Sequence, residues 1–275
     1  MTTVAGLMRA STLPALETRI LLEHVLGWRR TELITRDDEE VAAESVGRFD
    51  ALAHRRAAGE PIAQLVGTRE FFGLEFKVTP DVLIPRPETE LLVEIALEQM
   101  AGLEAPRVLD LGTGSGAIAV AIAFSHDDAQ VWAVDQSAEA LAVAARNALK
   151  LLGTDRPLNL LQSNWTDALD PALRFEVIVS NPPYIAQNDP HLSEGDLRFE
   201  PRTALTDEAD GLAAIRTIVQ TAPFFLATGG SLWLEHGYDQ AADVRALLTA
   251  RGFSDVRSKR DLADIERVSG GFFTA

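Results

Sequence analysis

The chain contains no cysteine, which excludes disulfide staples, thiolate nucleophiles, iron–sulfur clusters and cysteine-bound zinc. No apolar run reaches the ~18 residues that a membrane span needs, and Met1–Ala10 lacks the basic-then-apolar pattern of a secretory signal. Positive charge is scarce, with 25 Lys and Arg against 41 Asp and Glu, a net charge of −16. Such a surface opposes binding to bare nucleic acid, whose affinity comes largely from neutralised phosphates, so no direct DNA partner is expected. The acidic excess reads first as a solubility device, although it also suits a basic protein partner. The five histidines (His24, His54, His126, His191, His236) show no dyad or metal-ligand spacing, and no metal is expected. What remains is a soluble, cytoplasmic protein with no membrane association. Its 275 residues, 47% apolar and 24% charged, are long enough for two domains.

Residues 1–60 read as helices only. Ala15–Leu26 carries Leu16, Ile20, Leu21, Leu22, Val25 and Leu26 at helical spacing, opened by Pro14 and stopped by Gly27. A second helix is expected over Asp38–Ala58, with Asp37, Asp38, Glu39 and Glu40 at the positive end of its dipole rather than on a metal. Its apolar stripe is Val41, Val46, Phe49, Leu52 and Ala53. Phe71–Val78 and Val82–Ile84, around the turn Thr79-Pro80-Asp81, read as a β-hairpin, and Pro85-Arg86-Pro87 cannot continue a strand interior. From Glu88 onward helix and strand alternate, which implies a mostly parallel sheet covered by helices on both faces. The expected domains are therefore 1–60, helical; 61–85, a linker with a β-hairpin; and 86–275, α/β.

Strand Arg107–Leu111 runs straight into Gly112-Thr113-Gly114-Ser115-Gly116 and then a helix. Glycines there permit positive φ and close approach of a ligand to the main chain, and the helix start offers free N–H groups. Asp135 closes the next strand, 19 residues after Gly116, where a carboxylate can accept from ribose hydroxyls. No Lys-Ser/Thr pair follows Gly116, which excludes a phosphate-clamping P-loop, and the third glycine comes one residue early for a dinucleotide fingerprint. A tight turn that binds nothing is the plain alternative.

Strand Phe175–Ser180 delivers Asn181-Pro182-Pro183-Tyr184 to the same sheet edge, 65 residues after Gly116. Two prolines stiffen the turn and remove two N–H donors, leaving carbonyl acceptors. Asn181 adds an amide oxygen, and Tyr184 is expected to form a flat aromatic wall. A planar –NH₂ group fits this set, with its protons bonded to the Asn181 oxygen and the Pro182 carbonyl.

The segment Asp110-Leu-Gly-Thr-Gly-Ser-Gly116 resembles the first motif of class I methyltransferases that use S-adenosylmethionine. Over nearly the whole chain the sequence resembles the HemK/PrmC family of protein-(glutamine-N5) methyltransferases that act on peptide-chain release factors. The matching segments include Gly59-Glu-Pro-Ile-Ala-Gln-Leu-Val-Gly67, Ile84-Pro-Arg-Pro-Glu-Thr-Glu90, Glu200-Pro-Arg-Thr-Ala-Leu205, Asp210-Gly-Leu212 and Leu234-Glu-His-Gly237.

The resemblance implies a class I (Rossmann-like) methyltransferase domain with a mostly parallel seven-stranded sheet, preceded by a small helical domain and a hairpin. It also implies S-adenosylmethionine as cofactor, S-adenosylhomocysteine as product and a monomer. Gly112, Thr113, Gly114, Ser115, Gly116, Asp135, Trp165 and Asn181 would hold the cofactor, with Trp165 beside the adenine. Asn181, Pro182, Pro183 and Tyr184 would bind the glutamine of a Gly-Gly-Gln loop, with Asn181, Pro182 and Tyr184 serving the reaction. Asn164 departs from a place often held by Asp, and His236 and Glu176 depart mildly. Arg86–Glu90 reads as a structural brace before a substrate contact, and the helical segment as the dock for the protein substrate. A ribosomal-protein glutamine methyltransferase shares nearly all these motifs. An adenine-N6 DNA methyltransferase and a non-catalytic S-adenosylmethionine-binding module remain as further alternatives.

Overall fold

The computed structural model describes residues 2–274, and the chain divides into two compact units, one ending at Thr68 and the other beginning at Arg69. The first unit is five helices: α1 (Val4–Ala10), α2 (Ala15–Leu26), α3 (Arg30–Thr35), α4 (Ala43–Ala57) and α5 (Ile62–Val66). Helix α2 follows the sequence expectation at both ends, with Pro14 before it and Gly27 closing it at φ 68°. Its Leu21, Leu22 and Val25 bury against Val4, Leu7, Leu33, Phe49 and Leu65, whereas Leu16, expected on the same stripe, is exposed.

Helices α1 and α3 fit the all-helical reading of residues 1–60 but have no bounds in the sequence pattern, because seven and six residues carry too few turns for a clear apolar period. One expectation in this unit is corrected. The acidic cluster does not open α4. Asp37–Glu39 lie in turn and bend geometry and Glu40 in a β-bridge with Thr3, while α4 starts at Ala43 with only Glu44 in its first turn. Glu39 instead takes a two-pronged bond from Arg36, at 2.8 Å to each oxygen, so local pairing accounts for its charge rather than a helix dipole.

Next comes the hairpin β1 (Thr68–Phe71) and β2 (Leu74–Lys77), which from Arg69 onward belongs to the second unit. The turn is Phe72-Gly73, with φ 53° and 73°, and not Thr79-Asp81; Val82–Ile84 forms no strand. The two-residue turn at positive φ is what a twisted hairpin requires, and Phe72 at its first position hid that signal. This division also groups the hairpin with the α/β unit.

There follow α6 (Glu90–Met100), β3 (Arg107–Leu111), α7 (Ala117–Ser125), β4 (Gln130–Asp135), α8 (Ala138–Leu152), β5 (Asn159–Gln162), β6 (Phe175–Ser180), α9 (Arg202–Leu205) and α10 (Ala213–Thr221). The unit closes with β7 (Leu226–Glu235), α11 (Ala241–Arg251), β8 (Ser254–Arg260) and β9 (Glu266–Phe272). Seven strands form one sheet in the order β5-β4-β3-β6-β7-β9-β8, parallel except for β9, which runs antiparallel to both of its neighbours. Strands β3 and β6 are nearly continuous apolar runs because both faces are covered. One buried layer gathers α6 and α7 with Val108, Val131 and Val177; the other gathers α10 and α11 with Leu109, Ile178 and Leu232.

The chain leaves β3 towards β4 on one side, and the later strands build out from β6 on the other. The crevice beyond the carboxyl ends of β3 and β6 is therefore the switch point of the sheet, where such folds bind ligands.

Candidate active site

A cleft of about 460 Å³ opens at that switch point. Its lining brings together Gly112, Thr113, Gly114, Ser115, Asp135, Asn164, Trp165, Asn181 and Pro183, which the sequence scatters over 72 positions. Register explains the convergence. Leu111 pairs with Ser180, so the residues that follow, Gly112 and Asn181, leave the sheet side by side. Ser180 ties the two strands by donating its hydroxyl to the Leu111 carbonyl at 2.6 Å.

The glycine turn is held from beneath. Gly112 and Thr113 N–H both donate to the Val134 carbonyl at 2.9 Å, and the Thr113 hydroxyl donates to Asp110 Oδ2 at 2.6 Å. Asp110 is fully buried, and burial pushes its carboxyl up to about 7, against the Thr113 bond and aided by the charge of Asp135. Asp135 accepts from Gly114 N–H at 2.8 Å and from Ser137 N–H at 2.9 Å, which fixes its carboxylate at the cleft wall. Trp165 sits at φ 51°, and a Cβ at Gly112 would meet its ring at 3.4 Å, so loop and indole lie in close contact. Asn164 donates Nδ2 to Asp167 at 3.1 Å, leaving its carbonyl oxygen as the free end.

Three of the expected site residues fall elsewhere. Gly116 does not line the cleft: it caps α7 at φ 81°, and a Cβ there would lie 3.0 Å from the Cβ of Ala144. Its need for glycine is a matter of packing α7 on α8. Pro182 is buried and not part of the lining. Tyr184 forms no wall of the cleft; its ring packs with the apolar layer of α10 and α11, its hydroxyl donates to Glu235 Oε1 at 3.2 Å, and its carbonyl accepts from Gln240. Burial, then the charge of Glu235, raises the Tyr184 hydroxyl far above its ordinary value.

Residues outside the expected ligand-binding set also build the site. The strap Ile84–Glu90 is tied down along its length. Ile84 N–H donates to Glu200 Oε2 at 2.9 Å, Arg86 pairs with Glu200 Oε1, Thr89 accepts from Asn181 Nδ2 at 3.1 Å, and Glu90 Oε1 accepts from the hairpin turn at Phe72 N–H. The brace reading of Arg86–Glu90 matches these bonds, and Arg86 and Thr89 also face the cleft. Burial raises the Glu200 carboxyl, opposed by the Arg86 charge and the Ile84 bond. Buried Asn147 of α8 joins Lys77 N–H and C=O to the Ser115 carbonyl, so the hairpin steadies the glycine turn. Glu235, wholly buried at the end of β7, is pushed up to about 7 by desolvation, against the nearby Thr89 hydroxyl, the bond from Tyr184 and the charge of Arg267, and its Oε2 has no hydrogen-bond partner. The available signal was an acid closing an apolar strand, as in Leu232-Trp-Leu-Glu235; the fold buries it where the chain alone shows only an end of strand.

Among known proteins, residues 4–67 match the PrmC N-terminal domain and residues 87–195 the Methyltransferase small domain. A release factor glutamine methyltransferase from Burkholderia pseudomallei is 68% identical over 272 residues, covering 98% of this chain and 95% of that one. The chain belongs to the release factor glutamine methyltransferase family. A second relative of that description, from Bordetella pertussis, is 54% identical over 99% of this chain and 100% of its own. The fold is shared more widely. A solved methyltransferase from Pyrococcus furiosus superposes with a TM-score of 0.56 at 18% identity, over 81% of this chain and 98% of that one. Among the described residues no helix is long and apolar enough to cross a membrane, and no cluster of acids and histidines is arranged to hold a metal.

Proposed function

We propose that this protein transfers a methyl group from S-adenosylmethionine to the side-chain amide nitrogen (N5) of the glutamine in the Gly-Gly-Gln loop of peptide-chain release factors. The observation that carries the reading is the placement of Asn181 in the cleft beside the glycine turn, in a chain 68% identical to a release factor glutamine methyltransferase.

The cleft fits the cofactor. Gly112 and Gly114, at φ 75° and 56°, allow the main chain close approach, Asp135 is held ready to accept ribose hydroxyls, and Trp165 offers an aromatic face. Asn164 Oδ1 is a neutral acceptor for an exocyclic amine. S-adenosylmethionine supplies the electrophilic sulfonium methyl.

The chain's own task is to hold a poor nucleophile. An amide nitrogen has its lone pair delocalised into the carbonyl, so it must be aligned and kept electron-rich. Asn181 Oδ1 accepts one of its protons and turns its face towards the methyl. Such alignment is worth up to ~7–11 kcal/mol of barrier. No strong base is needed, because the surplus proton becomes acidic only once the N–C bond has formed, and it then leaves to water. Tyr184, seated in the apolar layer, acts by fixing the turn. The helical unit, matched by the PrmC N-terminal domain, docks the protein substrate and so distinguishes one glutamine from another.

Incubation with a release factor and methyl-labelled S-adenosylmethionine should move one methyl onto the factor. Asn181→Ala should abolish transfer and leave affinity for S-adenosylhomocysteine within about threefold, because the lost group acts on the nucleophile. Loss of transfer and of cofactor affinity together would assign Asn181 to the cofactor alone. A label moving only to a ribosomal protein would place the enzyme with the ribosomal-protein glutamine methyltransferases.

A further inference from the structure

The turn that carries Asn181 is stiff but poor in anchors of its own. Pro182 and Pro183 fix φ and remove two N–H donors, so Asn181–Tyr184 moves as one piece and is held through its ends and its carbonyls. Its upstream end is set by β6, where Ser180 bonds to β3. Its downstream end is the Tyr184 carbonyl, which accepts from Gln240 Nε2 at 3.0 Å. Gln240 lies 56 residues further on, immediately before α11. The same NH₂ donates to the Gly211 carbonyl at 3.3 Å, and Gln240 Oε1 accepts from Gly237 N–H at 2.8 Å. One side-chain amide therefore joins three loops, those after β6, before α10 and after β7.

The backbone groups around Gln240 fix which way its amide points. Gly237 N–H can only donate and the Tyr184 and Gly211 carbonyls can only accept, so the amide cannot turn over. A Cβ on Gly211 would lie 2.5 Å from the Tyr184 oxygen and 2.9 Å from Gln240 Nε2, so this loop packs directly on the turn. Asp207 shapes the loop: its Oδ1 accepts from Ala209 and Gly211 N–H at 2.9 and 3.0 Å, and its Oδ2 from Ala213 N–H at 2.6 Å. Just beyond the turn, Ile185 and Gln187 N–H donate to the Leu205 and Ala209 carbonyls, each at 3.0 Å.

We propose that Gln240 is a positioning residue for methyl transfer: it pins the Tyr184 end of the rigid turn and thereby sets where Asn181 presents its amide oxygen in the cleft. This rests on the methyl-transfer reading above. Gln240 is not part of the cleft lining and acts through the turn. A displaced turn would also stretch the 3.1 Å bond from Asn181 Nδ2 to Thr89. The same contact gives a task to Gly211 of the Asp210-Gly-Leu212 segment, where a side chain would push the Tyr184 carbonyl away from Gln240.

The test uses the full-length protein with Gln240→Glu, Gln240→Lys and Met100→Ala. Glutamate keeps the shape and the acceptor for Gly237 but sets a lone pair against the Tyr184 carbonyl; lysine keeps donors and loses the acceptor. Gln240→Glu should lower kcat by about 10²-fold, the scale of a misplaced reacting group, with KM for the release factor and affinity for S-adenosylhomocysteine within about threefold. Gln240→Lys should keep at least about ten times the kcat of Gln240→Glu, because the donor to Tyr184 carries the effect. Met100→Ala opens a cavity in the opposite apolar layer and lowers Tm without reaching the turn, so its kcat should stay within about threefold of wild type. In the free protein, Gln240→Glu should shift the side-chain amide signals of Asn181 in a ¹H–¹⁵N spectrum, and Met100→Ala should leave them in place. The proposal is overturned if Gln240→Glu keeps kcat within about threefold of wild type, if lysine and glutamate lose kcat equally, or if Met100→Ala loses as much. Should Gln240→Glu fail to fold, Gln240→Met, which removes the bonds without adding charge, is read by the same criteria. A wild type that methylates no glutamine substrate refutes the reaction instead; unmoved Asn181 signals in Gln240→Glu would then overturn the pin as well.

Discussion

Gly114 and Gly116 stand two residues apart, both at positive φ, and serve different ends. An added Cβ at Gly114 meets nothing within 4 Å and points into open space, whereas at Gly116 it would strike Ala144 at 3.0 Å. Gly116→Ala should therefore cost more stability in urea unfolding, at least ~1–2 kcal/mol from the left-handed backbone alone and more from the clash. Gly114→Ala should cost less stability and more affinity for S-adenosylhomocysteine. Equal effects of the two on both measurements would contradict the separation. The sequence shows three glycines between a strand and a helix and points to the turn correctly. It cannot show which glycine faces the ligand, because that depends on where α8 lies. Tyr184 carries the same lesson: an aromatic after two prolines invites the reading of a wall, but the apolar layer beneath β6 claims the ring.

At the scale of elements, the strap from Ile84 to Glu90 links hairpin, cleft and a distant helical segment through Glu200, Asn181 and Phe72. Its short 3₁₀ turn, Pro87–Thr89, has no periodicity to read, so its importance reached the sequence only as a resemblance. Removing its cation tests the brace. Arg86→Met leaves Glu200 buried without its countercharge, a defect of about 3–5 kcal/mol for a fully buried pair; with Arg86 29% exposed, the lower end is expected. Glu200→Gln combined with Arg86→Met should recover part of the loss in the same unfolding measurement. A single variant as stable as wild type would show that the strap is held by its backbone bonds alone. Long alternating elements, from α6 to α11, were legible because apolar runs and glycine stops mark them. Short ones were not: α1, α3 and the true hairpin turn lack the length over which a period shows.

At the scale of the whole molecule, two carboxyls, Asp110 and Glu235, are wholly buried and pushed up to about 7. A carboxyl raised from 4.5 to about 7 binds its proton more tightly in the folded protein. Its contribution is therefore fully present below pH 4.5 and is lost as pH rises towards 7, by up to about 3 kcal/mol per group. Unfolding free energy measured from pH 5 to 7.5 should fall more steeply for the wild type than for Glu235→Gln; parallel curves would mean that Glu235 titrates normally. The parallel sheet and the meeting of the Gly112 and Asn181 loops were readable from alternation and strand order of motifs, since both motifs end strands. The supporting acid at Glu235 was not, because burial is set by the neighbours β6 and β9 rather than by its own segment.

The central claim is that this cleft methylates one amide nitrogen. Tandem mass spectrometry of a release factor, after incubation with this protein and S-adenosylmethionine, tests it most directly. The account predicts a single added methyl on the side chain of the Gly-Gly-Gln glutamine, absent when Asn181→Ala replaces the wild type. A methyl on any other residue, or an unmodified factor in the presence of protein that binds S-adenosylhomocysteine, would contradict it.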